Sequence, residues 1–362
     1  MDFPSPRPNI QKLQTYKPNF GKSKINNLIR LSANESALGA SSDAVEALKI
    51  FSSDLNRYPP QVSDELTSAI SKRYSLDKKK IILGNGSDEL ISILAQTFLG
   101  SNDEAIYTEF GFLQFPQAIC IAGAKGVVAN DTKFTANVDN ILSKVNKNTK
   151  IIFLANPNNP TGTFLPKTEV MRLHSSIPPN ILLVYDAAYA EYVVNNDYLD
   201  GSELVDSNEN VIMLRTFSKL HGLASLRLGW GYASKKIIEN LMKVRGPFSV
   251  NTAAIMAGVA AIEDLEFQNK SIKHNLKWMS WLKNELQLLN LDFQPSITNF
   301  LLIKFPNNNK HNAQNAENFL ASKGILVRGM KVYGLLDHLR VSVGNETENV
   351  RFIEELKTFL KN

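Results

Sequence analysis

Lys219 stands in "TFSKLHGLASLRLGW", residues 216 to 230, where Arg227 is the only other full charge. Lysine is rarely buried unless it is paired or reacting. A lysine partly withdrawn from water, and neutral part of the time, attacks carbonyl carbon to form a Schiff base. Desolvation and a nearby cation both lower its pKa toward that use. Asp186 closes the apolar run "NILLVY", and Tyr189 follows three residues later. A carboxylate at the end of a buried strand can hold the protonated nitrogen of a pyridine ring. "GNGSDE" (84–89) opens a helical stretch. A helix start with free amides, joined by the hydroxyls of Thr216 and Ser218 and by Arg227, suits a phosphate. Together these groups meet the needs of pyridoxal 5'-phosphate, whose ring draws electrons away from a carbanion.

Positioning them requires a sheet. From 41 to about 245, short β-branched runs alternate with amphipathic stretches. The apolar runs predict strands at 80–84, 104–108, 126–129, 150–155, 180–186, 210–214 and 228–233. Helices are predicted to begin near Asp88, Leu113, Val138, Pro166 and Ser234. Strands apolar on both faces and separated by helices imply a mostly parallel sheet covered on both sides. Ligands of such sheets bind beyond the carboxyl ends of the strands. "GNGSDE", "NPNNPTG" (156–162), Asp186 with Tyr189, and "RTFSK" (215–219) all follow strand ends, so they should meet at one edge.

Residues 251 to about 289 turn helical, with Trp278, Trp281, Leu282 and Leu286 on one face. A smaller α+β unit follows: "FLLIKF" (300–305), a helix at 312–323, "GILVR" (324–328), "HLRVSVG" (338–344) and a helix from 346. The expected division is an arm with part of the small domain in 1–40, a large domain in 41–250, and a linking helix with the small domain in 251–362.

Each motif alone has a plainer reading. "GNGSDE" also suits a glycine turn with Ser87 or Asp88 as helix cap. It imitates a dinucleotide fingerprint, except that Glu89 replaces the third glycine. "NPNNPTG" could be an ordinary loop, Asp186 a cap, and Lys219 a side chain reaching solvent. Four such coincidences on successive strand ends are needed to dispose of the set.

Bulk properties narrow the rest. The 362 residues are 43% hydrophobic and 21% charged, which supports a large core. A net charge of +5 spread along the chain gives a mild field for small anions and argues against nucleic acid, for which no motif is present. Cys120 is the only cysteine, so no internal disulfide forms and a reducing compartment is expected. The start lacks an apolar signal core, and "AAIMAGVAAI" (253–262) is about half of the roughly 20 residues that a membrane span needs. A cytoplasmic protein without membrane attachment is expected.

"NPNNPTG", "DAAY", "TFSK" with an arginine eight residues after the lysine, and "LRVSVG" resemble the fold type I aminotransferases. "RLSANESALG", "NRYP", "GNGSDELI", "TNFLL" and "GILVR…YGL…LRVSVG" narrow the resemblance to the histidinol-phosphate aminotransferase family, over about residues 16 to 360. The resemblance implies an α/β fold with a large sheet sandwiched by helices and a smaller α+β domain. It implies that Lys219 carries pyridoxal phosphate, that Asp186 pairs with the ring nitrogen, and that Asn159 and Tyr189 bond the phenolic oxygen. Ser87, Asp88, Thr216, Ser218 and Arg227 would hold the phosphate, and Phe110 would stack over the ring. Tyr58 would reach the phosphate of the other subunit, which implies a homodimer with shared sites. Arg340 would bind substrate carboxylate and phosphate, Arg328 could add a second cation, and Tyr16 and Asn34 would line the substrate side.

The implied reaction moves the amino group between L-histidinol phosphate and 2-oxoglutarate/glutamate, in histidine biosynthesis. Phe110 stands where relatives more often have tyrosine, and Ala187 where many have an acid. His221, two residues past the lysine, reads as a packed or solvated ring. No other histidine has metal-ligand spacing. Two relatives of the same architecture compete, an aromatic amino-acid aminotransferase and a phosphothreonine decarboxylase. A regulator built on this fold would need an added DNA-binding domain, and a nicotinamide enzyme leaves Lys219 unexplained.

Overall fold

The computed structural model describes residues 4–13, 15, 28–50 and 55–361. Its strands are β1 (Ile29–Arg30), β2 (Ile81–Gly84), β3 (Glu104–Thr108), β4 (Lys125–Ala129), β5 (Thr149–Ala155), β6 (Leu182–Asp186), β7 (Val211–Thr216), β8 (Gly229–Ala233), β9 (Phe300–Lys304), β10 (Ile325–Leu326), β11 (Arg328–Met330) and β12 (Leu335–Ser342). Seven of them form the main sheet in the order β2-β8-β7-β6-β5-β3-β4. Pairing is parallel from β7 to β4, while β8 runs antiparallel to both β7 and β2. β2 is therefore parallel to β7, and its carboxyl end lies at the same edge. The expected α/β architecture is present, and every strand predicted for this sheet is found within a few residues.

The sheet is covered on both faces because its strands are apolar on both. Ile151 and Phe153 of β5 point into a core with the Ser87–Phe98, Gln114–Ala122 and Lys235–Val244 helices. Ile152 and Leu154, one pleat away, enter the opposite core with the Asp64–Tyr74, Lys167–Ser176 and Thr252–Glu263 helices. Phe153 is fully buried and stacks on Phe115 at 5.0 Å, so truncating it to alanine should cost about 3–5 kcal/mol. Helix boundaries follow local caps. Asn251 accepts from the Ala254 amide and Asp264 from the Phe267 amide, and so they start two successive helices in the apolar stretch after 250.

A third core lies between a three-stranded antiparallel sheet, β11-β12-β9, and the Leu265–Leu288 and Glu346–Lys361 helices. Trp278, Leu282 and Leu286 occupy it, as their helical spacing predicts. "GILVR" is not one strand: β10 pairs in parallel with β1, and β11 pairs with β12. The segment read as an arm with part of the small domain thus contributes a strand as well as the short Pro8–Gln11 helix. No helix among the described residues is long and apolar enough to cross a membrane.

Candidate active site

Four strand ends meet at the carboxyl edge of the main sheet. Asp186 ends β6, opposite Ala155 of β5 on one side and Leu214 of β7 on the other. It is buried and accepts from the Ala188 amide at 3.1 Å. Burial pushes its carboxyl from 3.8 up to about 7; the Ala188 N–H and the Lys219 charge oppose the rise, and Asp88 adds to it. Such a carboxyl is suited to a partner that brings a proton or a positive charge.

Tyr189 follows on the turn after β6, and is buried with its ring edge-on to Phe300 at 5.3 Å. Its hydroxyl accepts from Asn34 Nδ2 at 2.8 Å. Asn34 has φ of 56°, a left-handed conformation that asparagine tolerates better than most residues. Ser342 holds it there, accepting from the Asn34 amide at 2.9 Å and donating to Asn34 Oδ1 at 3.1 Å. Lys219, just past β7, is half-buried, with its Nζ 5.7 Å from the centre of the Tyr189 ring and 3.3 Å from the Ala33 carbonyl. Lysine, phenol and buried carboxyl thus lie on neighbouring elements.

The start of the Ser87–Phe98 helix faces Arg227. Gly86 occupies its N-cap and offers no side-chain cap, so the first amides lack that partner. Arg227 Nη2 contacts Asp88 Oδ2 at 3.1 Å, and Arg227 Nη1 donates to Ser218 Oγ at 3.2 Å and to the Ala224 carbonyl at 2.9 Å. Thr216 Oγ1 accepts from the Ser218 amide at 3.1 Å. A Cβ on Gly86 would lie 2.6 Å from Arg227 Nη2, and one on Gly229 would lie 2.4 Å from the Ser87 nitrogen. Only glycine lets backbone and arginine close around so small a volume. Amides, hydroxyls and a guanidinium in this arrangement fit a phosphate ester.

On the other side Arg340, on β12, donates through Nη1 to Asn159 Oδ1 at 2.5 Å and through Nη2 to the Ser32 carbonyl at 2.7 Å. Arg328 lies directly opposite it on β11. Phe110 stacks on Phe134 at 5.3 Å, and its amide donates to the half-buried Asp131, whose carboxyl is pushed up to about 7 by desolvation. Of the sequence-predicted residues, Ser87, Asp88, Phe110, Asn159, Asp186, Tyr189, Thr216, Ser218, Lys219, Arg227, Asn34, Arg328 and Arg340 lie on elements that face this edge. Tyr58 stands apart, exposed and stacked on Phe248 at 4.8 Å. Tyr16 lies outside the described residues. His221, read as a packed or solvated ring, is packed: it is buried and 4.8 Å from Phe217.

Sequence reading missed Ser342 and Phe134. Ser342 could have been found, since two residues after Arg340 on a strand puts it on the same face. Phe134 has no comparable signal; a loop with φ of 65° brings it to Phe110.

The family model described as "Aminotransferase class I and II" matches residues 26–356. A histidinol-phosphate aminotransferase of Paramagnetospirillum magneticum is 45% identical over 99% of each chain, and one of Maricaulis maris 44% identical over 98% of this chain and 99% of its own. The crystal structure of histidinol-phosphate aminotransferase from Sinorhizobium meliloti in complex with pyridoxal-5'-phosphate superposes with a TM-score of 0.91. It is 24% identical, over 99% of this chain and 98% of that one.

Proposed function

The chain belongs to the aminotransferases of class I and II, and from that premise we propose that it transfers the amino group of L-histidinol phosphate to 2-oxoglutarate, with pyridoxal phosphate held through Lys219. Full-length relatives of that name, 42–45% identical, support the substrate. The observation that carries the reading is the contact of Arg340 with Asn159, because it joins the anion-binding side of the site to the side that holds the ring.

The residues fit the cofactor. Asp186, buried and easily protonated, would hold the ring nitrogen, and Asn159 and Tyr189 the phenolic oxygen. The amides of Ser87 and Asp88, with Thr216, Ser218 and Arg227, would hold the phosphate, and Phe110 would cover the ring face. When bound, the cofactor supplies a sink for the electrons left when the substrate α-carbon loses its proton. Lys219, a free amine once the substrate amine has taken its place, would accept that proton at Nζ and give it up on the cofactor side. Arg340 orients the carboxylate of the 2-oxo acid and an anionic group of the amino donor, with Arg328 as a second cation. Asn34 fixes the Tyr189 hydroxyl, and Tyr16 would line the same side.

We read 41–250 as a large domain and 251–362 as a linking helix followed by a small domain, with 1–40 as an arm that forms part of the small domain. Tyr58, exposed in one protomer, would serve the phosphate site of a second in a homodimer. The setting is taken to be the cytoplasm, with small molecules as the substrates.

The test is a single-turnover half reaction on cofactor-loaded protein, mixed separately with histidinol phosphate and with phenylalanine. Much faster loss of the visible cofactor band with histidinol phosphate supports the proposal. The Phe110–Phe134 wall would also suit an aromatic side chain, so equal or faster conversion with phenylalanine would move the assignment to an aromatic aminotransferase. No conversion with either would favour the decarboxylase.

A further inference from the structure

Glu191 and Arg215 form a buried ion pair just behind the candidate site. Arg215 Nη1 lies 3.1 Å from Glu191 Oε1, and the two side chains are 4% and 6% exposed. Glu191 sits two residues after Tyr189, on the 3-10 turn Ala190–Tyr192. Arg215 is on β7, four residues before Lys219 and next to Thr216. The pair therefore bolts the segment that carries the phenol to the strand that delivers the lysine.

Arg215 is held from every side. Its Nη2 lies 3.0 Å from Asp200 Oδ2, its Nε donates to Met213 Sδ at 3.3 Å, and its guanidinium is 5.2 Å from the Tyr74 ring and 5.9 Å from the Trp230 ring. Tyr74, Tyr192 and His221 also feel the Glu191 charge, and burial raises both tyrosines and lowers the histidine. A planar guanidinium with both ends of its fork engaged and two aromatic rings packed beside it has little freedom to shift. Stability alone is a poor reason for such a pair, because replacing a buried ion pair with apolar residues is often neutral or stabilising.

We propose that the Glu191–Arg215 pair is a positioning device that sets Tyr189 against Lys219, and so controls the proton affinity of the lysine-bound cofactor and the rate of proton transfer. The inference rests on the cofactor reading above. Displacing a reacting group by about 1 Å costs on the order of 100-fold in rate, whereas apolar filling of the same space preserves the fold.

The discriminating variant is the double substitution Glu191→Leu with Arg215→Met. Asp200, the remaining partner, is 43% exposed at its side chain and stays solvated. Three quantities are compared with the parent: urea stability, the pH midpoint of the visible cofactor band, and kcat and KM. The expected result is parent-like stability, a midpoint moved by about one unit toward that of Tyr189→Phe, and kcat lower by roughly 10- to 100-fold with KM nearly unchanged. Arg215→Lys, which keeps the charge and loses the fork, should fall between. A double variant with the parent midpoint and kcat would overturn the proposal, and one that does not fold would reduce the pair to a structural role. A parent protein with no lysine-dependent band would instead refute the cofactor reading, so the two failures are distinct.

Discussion

Asp186→Asn, studied without cofactor, should reverse its effect on stability within an accessible pH range. In the unfolded chain this carboxyl titrates near 3.8, and in the fold burial moves it to about 7. Below 3.8 both states are protonated and the folded group carries no charging penalty. As pH rises, the unfolded state loses its proton first, so stability declines until the folded group also ionises near 7. At about 1.36 kcal/mol per unit, roughly three units give a loss of about 4 kcal/mol, complete above pH 7. Asparagine avoids that loss at every pH, and its oxygen can still accept from the Ala188 amide. Its buried amide N–H lacks a partner, however, at a cost of about 2 kcal/mol.

The variant should therefore be less stable than the parent at pH 4, cross it near pH 5, and be more stable by about 2 kcal/mol at pH 8. Urea unfolding of the cofactor-free proteins at four or five pH values measures this directly. A stability difference that keeps one sign across the range would refute the reasoning about burial. Adding pyridoxal phosphate at pH 8 should then stabilise the parent far more than the variant, because only the carboxylate can pair with the ring nitrogen.

Lys219→Ala should abolish the visible band that borohydride reduction fixes to the protein; a band that survives with the same covalent link would place the cofactor on another lysine. Arg340→Ala should lower kcat/KM for both histidinol phosphate and 2-oxoglutarate by at least about 100-fold, since each charge-assisted hydrogen bond is worth about 1.5–3 kcal/mol. Unchanged values for either would move that anion to other residues. Gly86→Ala should lose about 1–3 kcal/mol, because φ of 81° with ψ of 164° is glycine territory, and its Cβ meets Arg227. Equilibrium dialysis should also show weaker cofactor retention, and normal retention would mean that Arg227 can move aside at no cost.

What the sequence disclosed, and what it hid, follows from the range of the interactions. Strands such as "KIIFLA" were legible because a run buried on both faces needs no knowledge of its partners. Lys219, Asp186 and Arg227 were legible because charges at strand ends are costly unless used. β1 was not, since two residues carry no periodicity; its pairing with β10 depends on residues near the other end of the chain. Arg215 is legible only as the first residue of "RTFSK", after the strand predicted at 210–214. Its burial depends on Glu191 and Asp200, whose proximity only the fold creates. Asn34 is placed on the substrate side by resemblance, but its bonds to Tyr189 and Ser342 span 155 and 308 residues and leave no local trace.

The bonds of Arg340 to Asn159 and to the Ser32 carbonyl connect the last part of the chain to its middle and its beginning. On the ribosome this imposes an order of events. The main sheet, its covering helices and one protomer's own groups proposed for the cofactor are complete once the Thr252–Glu263 helix has emerged, yet Arg340 follows more than seventy residues later. At about 5–20 residues per second that is a delay of roughly 4 to 15 s. For that interval a nascent chain could already hold its cofactor while having no anion clamp for a substrate. Loading of the coenzyme and acquisition of specificity would then be separate stages of synthesis, and stalled chains of graded length would reveal the two stages in turn.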